Sequence, residues 1–120
     1  MGNCDCGGIR LIYACSGCAD VGELADLAVR KIKRSEKIKM SCLSGIGAGL
    51  DWFIQSAKAA CGNVTVDGCG VACAKKTLLN YGVTPVSVVL TDQGFVKGET
   101  AVSDRVVNEA VRKILTEAKI

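Results

Sequence analysis

Apolar and polar positions alternate in blocks along the chain, and each block reads as a strand handing over to a helix. Residues 9–14, IRLIYA, form a short apolar run of the kind buried in a parallel sheet. A turn-rich loop covers residues 16–22. Residues 23–33 then set Leu24, Leu27, Ala28 and Ile32 at helical spacing. Glu23 stands at the start of that helix and a Lys/Arg run at its end, the polarity a helix dipole favours. A second strand is predicted over 38–43 and a glycine-rich turn over 44–49. A helix over 51–60 follows, with Trp52, Ile54 and Ala59 as its buried positions. A third strand lies at 64–66, and a third helix over 72–80 is closed by Gly82. Pro85 introduces a fourth strand at 86–90. Ser103 is a good N-cap for the last helix, which sets Val106, Val107, Ala110, Val111 and Ile114 on one face.

Strands and helices alternating at these lengths imply βαβ units, hence a parallel sheet covered by helices. The expected fold is α/β: a single three-layer αβα domain, Rossmann-like, with a mostly parallel sheet of about four strands. No linker composition or internal repeat divides residues 1–120, and residues 1–8 read as a flexible tail carrying Cys4 and Cys6.

Composition changes this picture little until the cysteines are counted. Of 120 residues, 49% are apolar and 4% aromatic, enough for an aliphatic core without staples. Net charge is +3, and no interleaving of basic and aromatic residues suggests a nucleic-acid surface. The run Arg30-Lys31-Ile32-Lys33-Arg34 reads as a solvated helix end. No apolar stretch approaches a membrane span, and the opening residues fit neither a signal peptide nor a myristoylation pattern. The chain therefore reads as soluble and cytoplasmic. Against that background, 8 cysteines and no histidine are anomalous. In a reducing compartment, clustered cysteines more often bind metal or do thiol chemistry than form a disulfide framework.

Three of them end strands. Ligands of open parallel sheets bind at the carboxyl ends of the strands. Cys15 closes the first strand, Cys42 the second and Cys69 the third. Cys73 follows in the first turn of the next helix. Together they offer four sulfurs, a donor set that suits tetrahedral zinc. Any one of these residues, taken singly, is better explained as a small buried hydrophobe, and that reading is kept for Cys61. Cys4 and Cys6 are further candidate ligands or exchange partners, and Cys15-Ser16-Gly17-Cys18 is a Cys-x-x-Cys able to do redox chemistry. The glycines of residues 45–49 match neither a dinucleotide fingerprint nor a P-loop. They are expected to let backbone pass close to the cysteine rim. Asp67 and Asp92 either orient groups at that rim or simply serve turns.

The motifs resemble those of the DGC-domain proteins, a family described as zinc-binding. The resemblance rests on Tyr-Ala-Cys-Ser-Gly at 13–17, Cys-Leu-Ser-Gly-Ile-Gly at 42–47 and Asp-Gly-Cys-Gly-Val-Ala-Cys-Ala-Lys at 67–75, in that order. It implies zinc held by Cys15, Cys42, Cys69 and Cys73, and names no substrate. Cys18 and Gln93 depart from the pattern, which has a small residue and a leucine there. The leading expectation is a small cytoplasmic protein that holds zinc, another thiophilic metal or an iron–sulfur cluster. The alternative is a thiol enzyme of redox or sulfur transfer, with Cys15 or Cys69 as nucleophile and Cys18 or Cys73 resolving.

Overall fold

The computed structural model describes residues 8–35 and 38–120. The elements run β1 (Arg10–Ala14), α1 (Asp20–Ser35), β2 (Lys39–Met40), α2 (Leu43–Gly47), α3 (Asp51–Ala59), β3 (Gly62–Asp67), α4 (Cys73–Leu79), β4 (Val86–Val89) and α5 (Asp104–Ala118), with a 3₁₀ turn at Leu90–Gln93. All strands are parallel, in the order β2-β1-β3-β4. Ile12 lies opposite Met40, Ala14 opposite Val66, and Val66 opposite Val88. Right-handed crossovers put α1 and α5 on one face and α2, α3 and α4 on the other. The expected α/β sandwich is what the chain forms.

The two faces differ in chemistry because β3 alternates. Val64 and Val66 point into the aliphatic core shared with α1 and α5. Asn63, Thr65 and Asp67 occupy the alternate positions and are buried polar groups. On that second face Tyr13 packs with Ile46, Ile54 and Leu78. The Tyr13 hydroxyl donates to Asn63 Oδ1 at 2.7 Å, and Asn63 Nδ2 donates to the Ala57 carbonyl at 2.9 Å. Burial pushes the Tyr13 hydroxyl up to about 12.

Several sequence expectations shift. The first helix starts earlier, at Asp20, because the Asp20 carboxylate accepts the Val21 N–H at 2.7 Å. Its buried stripe runs through Leu24, Ala28 and Ile32 as expected, but Leu27 is exposed. Strand two is short, and the glycine-rich turn is helix α2. Cys42 caps it, the sulfur accepting the Gly45 N–H at 3.3 Å. Gly45 brings its backbone N–H to the Cys42 sulfur, as expected of a glycine near the cysteine rim, and it also serves the contact between α2 and α3, since a Cβ there would strike the Phe53 ring. Helix α3 buries Ile54 as expected and also Ala57, whereas Ala59 is exposed and Trp52 is 77% exposed. So short a helix presents only one narrow stripe to the sheet. Ser103 caps α5, accepting the Val106 N–H at 3.3 Å. Among the described residues no helix is long and apolar enough to cross a membrane.

Candidate functional site

In this strand order the chain leaves β1 over one face and returns to β3 over the other. The loops after β1 and β3 therefore diverge and open a crevice at the carboxyl edge, the place where open α/β sheets bind ligands. Cys15 and Cys18 lie on one wall of that crevice. Gly68, Cys69 and Cys73, which follow β3, lie on the other.

The two walls are joined. The Cys15 N–H donates to the Val66 carbonyl at 3.0 Å, extending the ladder past β1. The Cys15 sulfur accepts the Gly68 N–H at 3.4 Å. Each residue of Asp-Gly-Cys has a separate task. Asp67 is 1% exposed, and its carboxylate accepts the N–H groups of Ala74 at 2.7 Å and Lys75 at 3.2 Å. It thereby caps α4, whose own N-cap, Ala72, has no side-chain acceptor. Burial pushes the Asp67 carboxyl above the usual carboxylate range, and the two N–H donors and the charges of Lys75 and Lys76 pull against that shift. Gly68 is required by proximity. A Cβ there would lie 2.6 Å from the Val21 carbonyl carbon and 2.7 Å from the Gly22 nitrogen, both backbone atoms. Gly22 faces the same restriction against Gly17, with a Cβ falling 2.7 Å from its carbonyl carbon. Three stretches of backbone thus touch beneath Cys15, and Cys69 emerges just beyond them.

Cys69 is half-buried, and its sulfur lies 3.6 Å from Lys97 Nζ. Lys97 belongs to a loop that Asp20 holds down. The Asp20 carboxylate accepts the N–H groups of Gly98 and Thr100, each at 2.9 Å. These two bonds, with that from Val21, hold the Asp20 carboxyl below its ordinary range. Ser16 and Ala72, adjacent to Cys15 and Cys73, adopt left-handed backbone with φ of 52° and 55°. A non-glycine residue there costs about 1–3 kcal/mol, and such strain gathers at functional sites.

The structure brings Cys15, Cys42, Cys69 and Cys73 to the same edge of the sheet, as the sequence implies. Cys42, Cys73 and Cys18 are exposed thiols, and Cys15 is half-buried. Cys42 stands across β1 from the crevice, beyond β2. Among the described residues no group of three or more Cys, Asp or Glu side chains is close enough to hold a metal ion. In chemistry the donor set suits a soft ion: four thiols and no competing imidazole. Cys61 precedes β3 at the opposite, amino edge. It is half-buried, and its sulfur accepts the Gly8 N–H at 3.2 Å. Cys4 and Cys6 lie outside the described residues. Asp92 is exposed in the 3₁₀ turn, and among the described residues its side chain makes no hydrogen bond or ion pair, unlike that of Asp67. Sequence reasoning missed Lys97 and the Asp20 clamp. The available signal was Gly94 and Gly98, both at positive φ, which bracket a short loop ending near the crevice.

A family model described as the DGC domain matches residues 11–114. A curated protein of Pseudomonas aeruginosa, the anaerobic and virulence modulator AnvM, is 36% identical over 91 residues, covering 74% of this chain and 69% of that protein. No solved structure matches the chain.

Proposed function

The chain belongs to the DGC-domain family, and from that premise we propose that it is a small metal-binding protein whose cysteine rim takes up zinc. Cys15, Cys42, Cys69 and Cys73 would hold the ion. The observation that carries the reading is the bond from the Gly68 N–H to the Cys15 sulfur, which couples the two walls of the crevice. N–H donors already point at the Cys15 and Cys42 sulfurs, an arrangement that suits sulfur acting as an acceptor beside an ion. Because the four sulfurs do not form one group among the described residues, uptake requires the loops to close. A bound ion would tie together segments far apart in sequence, so its binding free energy becomes folding free energy. Copper(I) or an iron–sulfur cluster would be served by the same donors. In this reading the protein works in a reducing compartment, the cytoplasm, where thiols stay available to a metal.

Elemental analysis of protein purified without a tag tests this reading. We expect about one zinc per chain, as for a four-sulfur site, falling sharply in Cys69→Ser and unchanged in Cys61→Ser. No stoichiometric thiophilic metal, even after zinc-supplemented expression, would defeat it. One observation favours a second reading. Lys97 sets an ammonium 3.6 Å from the Cys69 sulfur, a setting found around reactive thiols. In that reading Cys69 or Cys15 takes part in disulfide or sulfur transfer, with Cys73 or Cys18 resolving.

A further inference from the structure

A cleft of about 460 Å³ opens beyond the carboxyl end of β2 and reaches across to the loop after β1. Its size falls within the usual range for small-molecule sites. Arg30 and Lys33 of α1 and Lys39 of β2 line it, and among the described residues no carboxylate does. Arg30 is paired with Asp26 at 2.9 Å, and the same carboxylate accepts the Ser16 hydroxyl at 2.9 Å. Lys33 and Lys39 have no ion-pair partner among the described residues. Among the described residues the cleft therefore holds two ammonium groups without an ion-pair partner, beside a guanidinium already held in place. Trp52 forms another wall, 77% exposed, although a tryptophan of that exposure contributes nothing to the core. An exposed indole next to unpaired cations presents a stacking face for a ring and charge for an anion.

We propose that this cleft binds a small phosphorylated aromatic molecule of the nucleotide type. Its phosphates lie on Lys33, Lys39 and Arg30, and its ring lies on Trp52. Cys42 lines the same cleft, so the ligand would sit beside one thiol of the rim. The proposal does not rest on the metal reading. The position follows the general placement of ligands at the carboxyl edge of parallel strands. It differs from a phosphate loop, because side chains of α1 and β2 supply the charge and the glycines of residues 45–49 do not.

Trp52 is the only tryptophan in the chain, so tryptophan fluorescence, excited selectively over Tyr13 and Tyr81, reports on this cleft alone. ATP, AMP and inorganic phosphate would be titrated into protein as purified, with metal content measured on the same sample. We expect saturable quenching by ATP, weaker quenching by AMP, and loss of affinity as salt is raised. Inorganic phosphate should compete only at much higher concentration. The double variant Lys33→Glu, Lys39→Glu should weaken ATP binding by at least about tenfold, with its metal content and melting temperature retained. The double variant Lys58→Glu, Arg105→Glu, on α3 and α5 and outside this cleft, carries the same change in net charge and should bind nearly as well as wild type. Absence of saturable quenching at millimolar ATP would overturn the proposal. So would undiminished binding by the double variant, or a short single-stranded RNA that binds tightly where ATP does not. Absence of zinc in the sample is a separate result and bears only on the metal reading.

Discussion

The elbow after β1 and the elbow after β3 each carry a thiol, an aspartate and a residue in left-handed backbone, yet their aspartates sit in opposite environments. Asp20 lies at the water-accessible rim and accepts N–H groups from its own helix and from a distant loop, which holds its carboxyl low. Asp67 is sealed under α4 with only two N–H donors, and burial outweighs them, so its carboxyl is pushed up. The first is a clamp between loops. The second is an internal cap whose ionised form persists only while its donors stay in place. The elbow built on Asp67 is therefore the more fragile, and it is the one that presents Cys69.

The largest expected effect is steric. Gly68→Ala forces a Cβ into the backbone of Val21 and Gly22, and no flexible side chain can yield. We expect a loss of about 3 kcal/mol in chemical denaturation, whereas Gly70→Ala, with open space around it, should stay within about 0.5 kcal/mol. Gly22→Ala should also destabilise. A double variant costing less than the sum would show that the same backbone shift relieves both contacts.

Removing the internal cap comes next. Asp67→Ala leaves two buried N–H groups without a partner and should cost about 2 kcal/mol. Asp67→Asn keeps one acceptor and should cost less. If Asp67→Ala is neutral, α4 is capped in some other way and the fragility assigned to this elbow is wrong.

The smallest effects are those of pH, and there the two aspartates should differ in sign. Asp20, lowered from 3.8, supplies stability that is present above that value and disappears as pH falls through its folded value below it. Asp67, raised from 3.8, is penalised when ionised, and that penalty is relieved as pH falls through its folded value toward 3.8. Melting temperatures measured in acid should show the advantage of wild type over Asp20→Asn shrinking. The advantage over Asp67→Asn should grow. Two curves moving in the same direction would erase the contrast.

Much of this was legible in the sequence. Strand–helix alternation gives the sheet, and strand-end cysteines give the edge on which Cys15, Cys42, Cys69 and Cys73 stand. The glycine-rich run misled because a helix tolerates Gly45 when a ring, Phe53, occupies the space of its missing Cβ. Trp52 misled because hydrophobicity predicts burial only where a neighbour exists to cover it. The Asp20 clamp and the approach of Lys97 to Cys69 join residues some eighty and thirty positions apart, a relation that no local periodicity encodes. Asp67 was visible as part of a motif, but its capping of α4 depends on how the elbow folds back.

The claim that the two elbows act as one thiol site is tested most directly by alkylation with iodoacetamide, read peptide by peptide in a mass spectrometer. Protein as purified is compared with the same protein after a chelator. The account predicts that Cys15 and Cys69 label slowly together and become reactive together once the chelator is added, with Cys42 and Cys73 following them. Rapid labelling of Cys15 or Cys69 in protein shown to contain metal would contradict it and turn the assignment toward thiol transfer.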